Sequence, residues 1–104
     1  MLLLSDGTVM AKSEAGGGDG IGSTWLRLTP NASGSYVNGT WSTLTTMNST
    51  RLYFSSQVMK DGHVYVAGGE YGSGLTTAEV YDPLANAWTV APSPGGNISD
   101  ANSI

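Results

Sequence analysis

The sequence has no cysteine, one histidine and four basic residues in 104. Without cysteine there is neither a disulfide framework nor a thiolate metal site. Four Lys and Arg against eight Asp and Glu give a formal net charge of −4. That balance lacks the clustered cations needed to track a nucleic-acid backbone or an anionic lipid surface, so neither nucleic acid nor membrane is expected as a partner. No apolar run approaches the roughly 18 residues of a membrane span. The apolar opening, residues 1–4, is too short for a signal peptide and lacks its basic flank. The compartment stays open, because a longer parent chain could be secreted or displayed at a cell surface. Helical periodicity is missing too: apolar residues never recur at spacings of three and four over ten or more positions.

What the chain does have is glycine, 15 residues of it, about twice the usual share of about 7%. Hydrophobic residues make up 39% and charged ones 12%. Rich in Ser, Thr, Asn and Gly and poor in Lys and Glu, this composition suits short strands joined by loops. At 104 residues there is room for one small domain or part of a larger one.

The chain also echoes itself. Ser5-Asp6-Gly7-Thr8-Val9-Met10 matches Lys60-Asp61-Gly62-His63-Val64-Tyr65 at a spacing of 55 (62 − 7). Leu28-Thr29-Pro30 lines up with Tyr81-Asp82-Pro83 at 53 (83 − 30), and Trp41 with Trp88 at 47 (88 − 41). The falling spacing places a longer loop in the first copy, at residues 31–40. One copy reads as four strands, clearest in the second at residues 52–59, 63–67, 77–81 and 87–91. Lys60-Asp61-Gly62 makes a turn whose glycine takes positive φ. Asp82-Pro83 stops the third strand, because proline cannot donate to a ladder. Gly68 and Gly69 remove side chains where a strand passes close to its neighbours, and Tyr81 and Trp88 are flat groups able to fill the wedge between packed sheets. A period near 50 with this punctuation is that of a propeller blade.

The second copy resembles the kelch repeat, through Val64-Tyr65-Val66-Ala67-Gly68-Gly69, Ala78-Glu79-Val80-Tyr81-Asp82-Pro83 and Trp88. The first copy is degenerate, with Ser13-Glu14 where the second has Gly68-Gly69. The resemblance implies an all-β fold of two four-stranded antiparallel blades of a kelch-type β-propeller, an incomplete ring. Residues 1–46 form the first blade with a truncated opening strand, 47–92 the second, and 93–104 the approach to a further blade or a tail. Three arrangements fit: a fragment of a longer reading frame, a two-blade protomer that builds a ring with its own copies, or a small unit with capped faces.

No cluster specifies a reaction, and no catalytic residue, cofactor or metal is expected of this chain. His63 alone defines no site. Copper oxidases of the galactose oxidase type use the same fold, but their centres need several histidines and a cysteine-crosslinked tyrosine. An oxidase or glycan-active parent would therefore carry its catalytic residues elsewhere. Glu14, Asp19, Glu70, Glu79 and Asp82 are the carboxylates available for glycoside chemistry, at distances the sequence does not give. Asn38-Gly39 reads as the tight-turn pair before Trp41. The resemblance implies protein–protein interaction as the default, and aromatic anchors on loops suit a protein or a carbohydrate ligand. The binding candidates are Tyr71 and Glu70 on the second copy's glycine-rich loop, Asp19 on the first copy's, and Tyr36 toward the opposite rim. Self-association, or contact with the remaining blades of a longer chain, is also expected.

Overall fold

The computed structural model describes residues 1–14 and 21–92. Its strands are β1 (Leu2–Leu3), β2 (Val9–Lys12), β3 (Trp25–Thr29), β4 (Thr40–Thr43), β5 (Ser55–Val58), β6 (Val64–Ala67), β7 (Ala78–Asp82) and β8 (Ala87–Ala91). They form two four-stranded sheets, β1-β2-β3-β4 and β5-β6-β7-β8, each strand pairing with the next in the chain. All pairings are antiparallel, so each sheet is a meander. These are two propeller-type blades.

The registers reproduce the spacings of the sequence repeat. Leu3 pairs with Val9, Val9 with Leu28 and Leu28 with Trp41. In the second sheet Val58 pairs with Val64, Val64 with Tyr81 and Tyr81 with Trp88. The first hairpin turn is repeated almost bond for bond. Gly7 and Gly62 take φ of 85° and 90°, a left-handed conformation that only glycine adopts without strain. Asp6 Oδ1 accepts the Thr8 N–H at 2.9 Å, and Asp61 Oδ1 accepts that of His63 at 3.0 Å. These side-chain bonds hold the turn shut from inside the loop.

The core lies between the sheets. Leu4, Met10, Trp25, Leu44 and Met47 come from the first sheet and the strand link, and Val64, Val66 and Tyr81 from the second. Because paired residues share a face, the row Leu2-Met10-Arg27 of the first sheet looks toward the second. Its counterpart is the row Val58-Val64-Tyr81-Trp88. Trp88 fills the wedge expected of it: its ring lies 5.0 Å from Tyr81 and 6.0 Å from Trp25, and its indole N–H donates to the Thr45 carbonyl at 2.8 Å. Burying Tyr81 and Trp25 completely contributes about 2–3 kcal/mol each from apolar area.

Two local expectations change. The opening strand of the second sheet starts at Ser55, not at residue 52, because Tyr53 takes φ of 55° and breaks the extended run. Arg51 and Leu52 instead form single bridges to Gly22 and Tyr71. The β3–β4 loop turns on Val37 and Asn38, closed by the Gly39 N–H to the Tyr36 carbonyl at 3.0 Å, so Asn38-Gly39 is not the central pair. Gly39 is required for room, since a Cβ there would run into the Thr29 carbonyl.

Candidate functional site

The segment linking the two sheets crosses the β6–β7 loop, and one buried arginine ties the two together. Arg51 has no exposed surface. Its Nη1 donates to the carbonyls of Gly68 (2.9 Å), Gly74 (2.6 Å) and Thr77 (2.9 Å). Its Nη2 donates to Thr77 Oγ1 at 2.8 Å and Glu79 Oε2 at 3.0 Å. Glu79, equally buried, completes the network by accepting the Asn48 N–H at 2.7 Å, the Asn48 side-chain amide at 3.0 Å and the Ser49 N–H at 3.2 Å. The planar guanidinium suits this work, offering donors in a fixed fork to several carbonyls at once. Thr50 and Ser73 add a second tie: the Thr50 N–H reaches Ser73 Oγ at 3.0 Å, and the Ser73 N–H reaches Thr50 Oγ1 at 2.9 Å.

Glycine supplies the space for this crossing. Gly69 has φ of 132°, and a Cβ there would sit 3.1 Å from the Leu52 carbonyl. Gly72 has φ of 112°, and its Cβ would strike the Thr50 carbonyl. So the loop is held to the link at several points, and a loop fixed this way loses little freedom on binding.

At the outer end of this rigid crossing stand two tyrosines. Tyr71 and Tyr53 are 48% and 51% exposed, with ring centroids 6.2 Å apart in an edge-on arrangement. The Leu52 N–H donates to the Tyr71 carbonyl at 3.0 Å, and the Glu70 N–H to the Leu52 carbonyl at 2.9 Å. Tyr53 is one of two described non-glycine residues with positive φ, the other being Asn86. Such a conformation costs of order 1–3 kcal/mol and persists where surrounding structure enforces it.

Among the binding candidates, Tyr71 and Glu70 lie together on this rim. Tyr36 is at the other end of the sheets, where its hydroxyl donates to the Gly7 carbonyl at 2.7 Å. Asp19 lies outside the described residues. Tyr53 was not singled out by sequence, because residues 52–59 read as one continuous strand. Glu79 is committed to Arg51 and the strand link, so it is not available for glycoside chemistry. Trp41, 53% exposed, stands on the face of the first sheet turned away from the second.

Three aspartates border a cleft of about 200 Å³ on the opposite side, lined also by Leu4, His63, Pro83 and Leu84. Hydrogen bonds from the Thr8 side chain and backbone hold the Asp6 carboxyl below its usual value. The His63 backbone N–H does the same for Asp61. His63 Nδ1 lies 3.0 Å from Asp61 Oδ2, and Nε2 lies 3.7 Å from Asp82 Oδ2. Among the described residues no three of His, Asp and Glu are placed to hold a metal ion.

Comparison with known proteins follows this geometry closely. The kelch motif matches residues 52–95. The second blade is a kelch repeat. An F-box/kelch-repeat protein of Arabidopsis thaliana is 38% identical over 55 residues, covering 50% of this chain and 14% of that protein. A fungal alcohol oxidase of the AA5 family, solved in complex with copper, is 33% identical with a TM-score of 0.67, covering 88% of this chain and 18% of its own. The chain therefore spans less than a fifth of either. The kelch match, the oxidase likeness and the two four-stranded sheets agree on a kelch-type β-propeller fold for these two blades.

Copper bound by that oxidase invites a test of fit. This chain has one histidine and no cysteine, and His63 faces two aspartates. These kelch-type blades do not offer the soft or imidazole-rich donor set that copper favours.

Proposed function

We propose that this chain is a protein-binding segment of a kelch-type propeller, engaging its partner through the rim formed by Tyr53, Tyr71 and Glu70. The observation that carries the reading is the exposed Tyr53–Tyr71 pair on a loop held by the buried Arg51. Exposed aromatic side chains on a rigid loop suit protein recognition, because they bring large contact area at little entropic cost. Kelch repeats in general bind proteins, and the Arabidopsis relative joins such repeats to an F-box.

A second reading makes the chain part of a propeller oxidase. Its likeness to the fungal alcohol oxidase over 88% of the chain favours it. In that case these blades are scaffold, with the reacting groups on other parts of the protein.

Selection of a phage-displayed random peptide library on the immobilised chain tests the first reading. Enriched peptides should lose at least about tenfold in affinity, 1.4 kcal/mol, on Tyr71→Ala or Tyr53→Ala. Tyr36→Ala should leave them unchanged. Equal affinity for wild type and Tyr71→Ala would remove the rim from consideration.

A further inference from the structure

The polar groups of the Tyr53–Tyr71 rim select the kind of partner it takes. Six of the ten residues 68–77 spend their backbone N–H on acceptors inside the protein: Gly68, Glu70, Tyr71, Ser73, Gly74 and Thr77. The N–H groups of Thr50, Arg51 and Leu52 on the strand link are spent in the same way. Of the two cations at this end of the sheets, Arg51 has no exposed surface. The other, Lys12, turns its Nζ back to the Ser13 carbonyl at 3.3 Å. The rim is therefore poor in donors and in outward positive charge, and an acidic partner would find little to answer it.

What it presents outward is acceptor and π surface. Glu70 is exposed, and among the described residues no hydrogen bond or ion pair engages its carboxylate. The N–H groups of Glu70 and Tyr71 both donate to the Leu52 carbonyl, at 2.9 and 3.4 Å. That one oxygen, next to Tyr53 in the chain, gathers all three residues into one patch. The two rings meet at an interplanar angle of 62°, so they make no flat platform for a sugar ring. A compact cation needs only one ring face, and the ring that offers its edge keeps both faces out of the pair. The net charge of −4 steers a positively charged partner toward the chain.

We infer that the rim takes a basic side chain, arginine or lysine, from a peptide segment of the partner, held over a tyrosine face and paired with Glu70. The inference rests on the rim being the binding surface, as proposed above.

Peptides selected from the random library on the immobilised chain test the two readings separately. Those that need Tyr71 should carry Arg or Lys at a common position, and replacing it with Ala should cost about three- to tenfold in affinity. Glu70→Gln, isosteric and exposed, should lose about threefold and flatten the salt dependence between about 50 and about 500 mM. Toward the Ala-substituted peptide Glu70→Gln should change nothing, because the charge it would pair is already gone. Peptides that need Tyr71 yet lack a basic residue overturn the inference and leave the rim standing. So does a Glu70→Gln protein that binds the basic peptides with the affinity and salt dependence of wild type. Failure to enrich any peptide, or enrichment insensitive to Tyr71→Ala, removes the rim itself and the inference with it.

Discussion

The indole N–H of Trp88 reaches across the junction between the sheets to the backbone carbonyl of Thr45, at 2.8 Å. A tryptophan that marks the repeat in the sequence thus also pins the blade to its neighbour. Trp88→Phe keeps most of the apolar contact but leaves that carbonyl without its donor. The expected cost is about 1–2 kcal/mol, read as a lowered urea midpoint with an unchanged slope.

Arg51→Met should be far more damaging. It leaves the buried Glu79 carboxylate without its cationic partner and takes one donor from each of three carbonyls, a loss of about 3–5 kcal/mol. Arg51→Met combined with Glu79→Leu should cost less than the sum of the two single changes, because the residues form one network. Thermal denaturation of the four proteins checks both statements.

Tyr53→Gly separates stability from recognition. Relief of the φ of 55° should offset much of the lost ring contact, keeping stability within about 1 kcal/mol of wild type. Affinity for rim-selected peptides should nevertheless fall. A variant that binds as tightly as wild type would show that Tyr53 is shaped for folding alone.

Acid should weaken the first turn. The Asp6 carboxyl lies below its ordinary value of 3.8, chiefly through the Thr8 side-chain hydrogen bond. A depressed carboxyl stabilises the fold above the unfolded value and loses that contribution as pH falls through the folded one. Asp6→Ala should therefore melt lower than wild type at neutral pH, by under about 1 kcal/mol for so exposed a group. The gap should close once pH drops well below 3.8. Melting curves across that range give the comparison.

Much of the fold was legible because turn chemistry and strand pairing leave short-range marks. Asp6-Gly7 and Asp61-Gly62 announced the same hairpin, and the three spacings matched positions of the first sheet to their equivalents in the second. The rim was legible only in part. Tyr71 stood out on a glycine-rich loop, but Tyr53 lay inside a loosely alternating stretch that reads as one strand, whose break comes from the crossing loop, a contact nearly 20 residues away in sequence (71 − 53). Arg51 drew no reading from the sequence and Glu79 stood only among the carboxylates available for glycoside chemistry, since nothing local says that a guanidinium will be buried under a loop. Trp41 matched Trp88 by position, yet only the structure shows one packed and the other exposed.

The most direct measurement is an NMR titration of the isotope-labelled chain with a rim-selected peptide. Resonances of residues 50–54 and 68–77 should shift together and saturate at one affinity, while those of residues 5–7 and 33–39 at the other end stay in place. Shifts confined to the Tyr36 end, or spread evenly over the chain, would contradict the account.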